Sequence, residues 1–211
     1  MDWKSQIRQS LLAILLFVTP AVNASEGGPE TGTLLVMGDS ISAAYGMSSE
    51  QGWVSLLSQR IDKKGLPWSV TNASVSGETT GGGLARLPRL LDTHRPQLII
   101  LQLGGNDGLR GLPVPSIRDN LQAMIELSLD SGADVLLAGI RIPPNYGPRY
   151  TEPFFAQYRD LADEYDLTLL PFLLDGIADN RELMQSDGIH PTAEAQPMIL
   201  DNVWPVLMDM L

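Results

Sequence analysis

The chain has 211 residues, of which 44% are hydrophobic and none is cysteine, and its formal net charge is −11. This length and hydrophobic fraction predict one globular domain with a substantial core, and the lack of cysteine excludes a thiol nucleophile, a disulfide and iron–sulfur ligation. A surface this acidic repels phosphate backbones, so we expect no nucleic-acid partner.

Residues 1–24 have the pattern of a secretory signal peptide. Lys4 and Arg8 precede an apolar run at 11–18, and small residues ending at Ala24 form a cleavage site. The run is too short for a stable membrane anchor. We therefore expect cleavage after Ala24, a secreted chain and a single domain over 25–211. The alternative is an uncleaved membrane tether.

Apolar strand-like runs alternate with segments of helical spacing through the rest of the chain. The predicted strands lie at about 33–38, 68–73, 97–103, 134–140 and 167–171. The predicted helices lie at about 53–61, 84–91, 116–129, 154–165 and 193–210. We expect Pro88 to start or bend the second helix, and Ser116 with Asp119 to form a capping box for the third. This alternation predicts an α/β protein with one parallel sheet covered on both faces.

Polar residues cluster where predicted strands end or the last helix begins. The clusters are Asp39–Ser40, Ser76–Gly77, Asn106–Asp107, and Asp187 with His190. In a parallel sheet the strand exits share one edge, and ligands bind beyond it. We therefore expect these residues to converge. The alternative for the first cluster is that Asp39 and Ser40 only cap the following helix.

Ser40, His190 and Asp187 are candidates for a nucleophile, its base and the acid that orients the base. The chain has two histidines, and His94 precedes a strand, at the edge opposite the polar clusters. His190 is therefore the candidate base for the Ser40 hydroxyl, and Asp187, three residues earlier, can orient its ring. The alternative is that Asp187 is only a turn residue.

Acyl transfer also needs hydrogen-bond donors for a developing oxyanion. The candidates are the backbone N–H groups of Ser40 and Gly77 and the side-chain amide of Asn106. Gly77 allows close backbone approach because it has no Cβ. The alternatives are a tight turn at Gly77 and an Asx-turn at Asn106.

Two other classes of function compete with a serine hydrolase. Hard oxygen ligands and an imidazole could instead hold a divalent ion in a metal-dependent phosphoesterase; they are Asp39, Asp107, Asp187 and His190. A phosphate- or flavin-binding module is the other candidate. It is disfavoured because the first strand–helix turn has no glycine-rich phosphate cradle.

Four sequence blocks together carry a resemblance to a known family. They are Gly38-Asp39-Ser40-Ile41-Ser42, then Gly77, then Gly104-x-Asn106-Asp107, then Asp187-x-x-His190-Pro191. Their order resembles the SGNH (GDSL) hydrolase family, with Ile41 at the position of the usual leucine. Over nearly all of 33–205 the chain is similar to one branch, the periplasmic acyl-CoA thioesterases, lysophospholipases and arylesterases.

The resemblance implies a three-layer α/β/α fold with a flavodoxin-like, five-stranded parallel sheet. It also implies hydrolysis of small acyl esters and thioesters without a cofactor or metal, in the periplasm. By family role, Ser40 is the nucleophile, His190 the base and Asp187 its orienting acid, with Ser40, Gly77 and Asn106 forming the oxyanion hole.

The resemblance further implies that the loops at 109–115 and 142–150 line the acyl pocket. Leu109, Ile142 and Tyr146 are then the expected substrate contacts. The alternative is that Leu109, Leu112 and Ile142 are ordinary core residues.

Overall fold

The computed structural model describes residues 31–211, so the signal peptide predicted for 1–24 lies outside the described residues. The strands are β1 (Gly32–Gly38), β2 (Trp68–Asn72), β3 (Leu98–Gln102), β4 (Asp134–Ala138) and β5 (Thr168–Leu170). The α-helices are α1 (Trp53–Lys64), α2 (Thr80–His94), α3 (Gly105–Leu109), α4 (Val114–Asp130), α5 (Pro148–Tyr165) and α6 (Gln196–Met208).

The five strands form one sheet in the order β2-β1-β3-β4-β5, and every neighbouring pair is parallel. Helices cover both faces, which confirms the predicted three-layer α/β/α architecture. All strands therefore end at the same edge of the sheet, where a site can be assembled from distant parts of the chain.

Strand β1 divides the core into two halves. Leu34 and Val36 pack in a cluster with residues of α1 and α6, whereas Leu35 and Met37 pack on the opposite face with residues of α2, α4 and α5. These four side chains have no solvent exposure. Burying a side chain of this size stabilises the fold by about 1.5–3 kcal/mol. The uninterrupted apolar run of β1 follows from this burial on both faces.

The beginning of α4 differs from the prediction. The helix begins at Val114 after Pro113, and no side chain caps it, so the capping box expected between Ser116 and Asp119 is wrong. Pro115 in the first turn explains the earlier start, because a proline there lacks only an N–H that has no partner within the helix. Likewise, α2 begins at Thr80, and Pro88 lies inside the helix rather than at its start.

A short helix, α3, occupies the residues after β3 that were predicted only as a polar cluster. The glycines of α3 argue against a helix at the level of sequence, because glycine disfavours helix formation by about 1 kcal/mol relative to alanine. Packing explains Gly108: a Cβ there would lie 2.7 Å from a ring carbon of Phe154 and 2.8 Å from Cγ2 of Ile142. The helix can therefore approach α5 closely only with glycine at this position. None of the helices in residues 31–211 combines the length and apolar character that a membrane span requires.

Candidate active site

The carboxyl edge of the sheet brings Ser40, His190 and Asp187 into one hydrogen-bonded series. Nε2 of His190 lies 2.9 Å from Oγ of Ser40, and Nδ1 of the same ring lies 2.6 Å from Oδ2 of Asp187. Ser40 lies two residues after the end of β1, and the loop holding Asp187 and His190 precedes α6. His94, the other histidine, is the last residue of α2, just before β3 begins at the opposite edge.

Backbone N–H groups of its own loop hold Asp187 in place beside the imidazole. Its Oδ1 accepts hydrogen bonds from the backbone N–H groups of Ile189 at 2.9 Å and His190 at 3.0 Å. Burial raises the pKa of Asp187, but the hydrogen bonds from His190 and Ile189 more than offset it and lower the pKa to about 2. The carboxylate is therefore charged at neutral pH. It favours the tautomer in which Nδ1 carries the proton and Nε2 accepts one from Ser40.

A buried polar network lies behind the Ser40 turn. Oδ1 of Asp39 accepts from the backbone N–H of Ile41 at 3.1 Å and from Nε2 of Gln102 at 3.0 Å. Oε1 of Gln102 accepts from the hydroxyl of Ser42 at 2.6 Å. Burial raises the pKa of Asp39, while the hydrogen bonds from Gln102 and Ile41 lower it. This network ties the turn after β1 to the end of β3.

Two of the three residues predicted to supply oxyanion donors, Ser40 and Asn106, line the cavity beside the site, and Gly77 does not. Gly77 has a φ of 80°, a left-handed conformation that glycine adopts without strain. Nδ2 of Asn106 donates to the backbone carbonyl of Glu78 at 2.9 Å, which holds the amide beside the loop containing Gly77 and leaves its second N–H available. Within residues 31–211, the backbone N–H groups of Ser40 and Gly77 donate no hydrogen bond.

The carboxylates considered as alternative metal ligands do not converge. Both oxygens of Asp107 accept from Thr80, from its backbone N–H at 2.9 Å and its hydroxyl at 2.6 Å, and Asp39 belongs to the network behind Ser40. In the part of the chain that the structure describes, no three His, Asp or Glu side chains lie close enough to hold a metal ion. The geometry therefore does not favour the phosphoesterase alternative.

A cavity of about 630 Å³ opens beside the Ser40 hydroxyl. Its lining includes Ser40, His190 and Asn106, together with the predicted contacts Leu109 and Ile142. Ile142 is 8% exposed and also packs in the core, so it lies where the core meets the cavity. Tyr146 is not part of the lining. Its hydroxyl instead donates to the carbonyl of Leu109 at 2.7 Å and so supports a residue that does line the cavity.

Two arrangements at the site were not predicted from the sequence. The guanidinium of Arg141 lies over the rings of Phe155 and Phe172, 4.3 Å and 5.1 Å from their centroids, and all three residues line the cavity. The ring of Tyr45 packs on the ring of His190 with 4.3 Å between centroids. Neither has a sequence signal, because each depends on where separate loops meet above the sheet.

The chain is similar to several characterised enzymes over most of its length. It is 51% identical to esterase TesA of Pseudomonas aeruginosa, with 85% of this chain and 89% of that protein covered. It is 48% identical to an arylesterase of Vibrio mimicus over 92% of this chain and 94% of that one. It is 46% identical to thioesterase 1/protease 1/lysophospholipase L1 of Escherichia coli, with 80% of each chain covered.

The fold comparison agrees with the sequence comparison. A crystal structure of TesA superposes with a TM-score of 0.83 at 51% identity, covering 85% of this chain and 99% of that one. Residues 36–196 match the GDSL-like lipase/acylhydrolase family. That match runs from the second half of β1 to the first residue of α6 and contains every predicted site residue. The chain therefore belongs to the GDSL-like lipase/acylhydrolase family, the SGNH hydrolases, and is a carboxylic ester hydrolase.

Proposed function

We propose that this chain is a secreted serine esterase and thioesterase that hydrolyses acyl esters and thioesters through an acyl-enzyme on Ser40. The observation that carries the proposal is the continuous hydrogen-bonded series from Asp187 through His190 to Ser40. A serine hydroxyl is a weak nucleophile until a neighbouring base accepts its proton, and Nε2 of His190 is within reach to do so.

In the first half of the reaction, Oγ of Ser40 attacks the carbonyl carbon of the ester while Nε2 of His190 takes the hydroxyl proton. The imidazolium that forms is stabilised by the charged carboxylate of Asp187. Collapse of the tetrahedral intermediate breaks the bond to the alcohol or thiol. The leaving group takes the proton from Nε2, and the acyl group remains on Ser40.

In the second half, water replaces the alcohol. Nε2 of His190 takes a proton from the water as its oxygen attacks the acyl-enzyme carbonyl. The second tetrahedral intermediate collapses to the carboxylic acid, and the proton returns from Nε2 to Oγ of Ser40. Every proton is thus accounted for by one imidazole, and the cycle needs no cofactor or metal.

The oxyanion of both intermediates is bound by the backbone N–H groups of Ser40 and Gly77 and by the amide of Asn106. Donors fixed in advance stabilise charge at little cost of reorganisation. The contact from Asn106 to the carbonyl of Glu78, and that from Arg110 to the carbonyl of Gly77 at 3.3 Å, support this role by holding the Gly77 loop against α3.

The substrates we propose are aryl esters, thioesters and lysophospholipids, the classes suggested by the names of the relatives, with acyl-CoA as the proposed thioester. The cavity supports this proposal because apolar residues such as Ile142, Phe172 and Leu174 line it next to Ser40, where an acyl chain has to lie. The charge pattern and apolar run of residues 1–24 support export to the periplasm with removal of that segment.

Hydrolysis of p-nitrophenyl butyrate and butyryl-CoA by the wild-type protein and Ser40→Ala tests the proposed function. The wild type should hydrolyse both. The variant should lose turnover of both substrates while its thermal unfolding stays close to that of the wild type. Near-normal hydrolysis by a folded Ser40→Ala protein would exclude an acyl-enzyme on this residue.

A further inference from the structure

We infer that Tyr45 is a positioning residue for His190, an inference that rests on the proposed role of His190 as the base. The centroids of the two rings are 4.3 Å apart and the ring planes meet at 33°. Aromatic rings at this separation attract each other. Tyr45 is 49% exposed, so its ring lies at the surface of the protein beside His190.

The contact supplies a restraint that the two hydrogen bonds of His190 do not. Ser40 and Asp187 bind the two ring nitrogens at the edge of the imidazole. Such hydrogen bonds fix the direction of the ring within its plane, but they only weakly resist tipping of the ring about the line joining the nitrogens. Tyr45 lies on the face of the ring, where it opposes this tipping.

The turn after β1 delivers Tyr45 and Ser40 to the same imidazole. The backbone N–H of Tyr45 donates to the carbonyl of Ser40 at 3.1 Å. Ala44, between them, has a φ of 56°, in the left-handed region that alanine rarely adopts. A strained residue persists only where the surroundings hold it, and such residues concentrate at functional sites. Here the strained residue directly precedes the one that contacts His190.

Gln185 holds this turn against the His190 loop. Its Nε2 donates to the carbonyl of Tyr45 at 2.9 Å and to the carbonyl of Pro191 at 3.0 Å. The backbone N–H of Gln185 also donates to the carbonyl of His190 at 2.7 Å. One side-chain amide therefore bonds to the backbones of both loops, the one that holds Tyr45 and the one that holds His190. This link holds the two loops together beside the contact between the two rings.

The contact should matter most once His190 has taken the Ser40 proton. A cation over an aromatic face is attracted by the ring, an attraction absent from the neutral imidazole. Interactions that strengthen only as the reaction proceeds raise kcat rather than lower KM. The chemistry of the contact therefore predicts that loss of the Tyr45 ring lowers kcat and leaves KM nearly unchanged.

Steady-state kinetics with p-nitrophenyl butyrate separate this role from a general effect on the fold. Tyr45→Leu should lower kcat about tenfold and change KM less than about twofold. Tyr45→Phe keeps the ring and should restore most of the rate. Tyr165→Leu is the matched control, because Tyr165 ends α5 at the opposite edge of the sheet; its kcat should equal that of the wild type.

Imidazole NMR provides a readout that does not depend on turnover. The chain has only two histidines, so His94 is an internal reference. The carbon-bound ring protons of His190 should lose the upfield ring-current shift from Tyr45 in Tyr45→Leu and keep it in Tyr45→Phe, with the His94 signals unmoved. This measurement can be made in the Ser40→Ala background, so it remains informative if the proposed hydrolysis fails.

Three results would overturn the inference while leaving the proposed function intact. They are a Tyr45→Leu protein with wild-type kcat, a Tyr45→Phe protein as slow as Tyr45→Leu, and His190 signals that do not move when the ring is removed. Activity retained by Ser40→Ala would instead overturn the proposed function alone.

Discussion

The hydroxyl of Ser40 lies 2.9 Å from Nε2 of His190, although 150 residues separate them in the chain. The parallel sheet makes this contact possible. Ser40 lies just after the end of β1, and His190 lies just before α6. The apolar residues of α6 pack in the same core cluster as Leu34 and Val36 of β1. Because α6 packs on the face of the sheet that holds Leu34 and Val36, the loop before α6 places the imidazole beside the serine.

Asp187→Asn should abolish most activity without unfolding the protein. An asparagine can still accept the two backbone hydrogen bonds, but its amide would donate to Nδ1 and favour the wrong tautomer of His190. In a Ser-His-Asp triad this change of tautomer slows the chemical step severely, so we expect kcat to fall about 10³–10⁴-fold. Steady-state kinetics beside thermal unfolding measure both effects.

The lowered pKa of Asp187 can be tested directly. Because the pKa is lowered to about 2, the wild-type carboxylate stays charged throughout the neutral range. The side-chain carboxyl 13C signal of Asp187 should therefore stay in the range of an ionised carboxylate from about pH 5 to about pH 9. A signal that moves to the range of a protonated carboxyl within this interval would contradict the lowered pKa.

Asp39→Asn tests the buried carboxyl behind Ser40. Burial raises the pKa of Asp39 above its ordinary value, despite hydrogen bonds that lower it. A carboxyl whose pKa is higher in the folded than in the unfolded protein stabilises the fold at low pH. That contribution to stability is lost as the pH rises through the folded-state pKa. The difference obtained by subtracting the wild-type Tm from the Tm of Asp39→Asn should therefore be more positive at about pH 8 than at about pH 4. A Tm difference independent of pH would show that Asp39 has the same pKa folded and unfolded.

Asp107→Ala should destabilise the fold by about 1–3 kcal/mol, because the N–H and hydroxyl of buried Thr80 would lose their acceptor. Asp119→Ala is the control, because Asp119 is exposed on α4. Denaturant titration measures both changes. Equal stabilities of the two variants would argue against a stabilising role of Asp107 as the acceptor for Thr80.

Ala178→Trp should lower activity on long acyl chains more than on short ones. Ala178 is exposed and lines the same cavity as Ser40, so a large ring there occupies space that a long chain needs. We expect kcat/KM for p-nitrophenyl dodecanoate to fall about tenfold more than that for the butyrate. Ala156→Trp, an exposed position on α5 outside that cavity, should affect both esters equally little. Equal losses on both esters in Ala178→Trp would place the acyl chain elsewhere.

Sequence patterns predicted the sheet well because strands such as β1 and β3 contain continuous runs of buried apolar residues, which a short stretch of sequence shows. The apolar run ending at Gly38 marks β1, and the strand exits gather the polar clusters at one edge. The start of α4 was missed because two signals competed there: Ser116 suggested a cap, but Pro115 already fits the first turn. Helix α3 was missed because Gly108 is required by the close approach of Phe154 in α5, a contact that no local pattern contains.

The candidate site could be predicted from the sequence where one residue type was scarce. With two histidines in the chain, the edge of the sheet alone separated His190 from His94. Tyr45 and Gln185 gave no such signal, because only the meeting of two loops distinguishes them from the other tyrosines and glutamines of the chain. The same holds for Arg141 with Phe155 and Phe172.

Covalent labelling with a p-nitrophenyl alkylphosphonate tests the role of Ser40 as nucleophile most directly. Attack by Oγ of Ser40 on phosphorus expels p-nitrophenolate and leaves a stable tetrahedral adduct. Mass spectrometry should find one adduct per chain on the peptide containing Ser40, with complete loss of ester hydrolysis and no labelling of Ser40→Ala. An adduct on another residue that abolishes hydrolysis, or full hydrolysis by protein labelled at Ser40, would contradict that role.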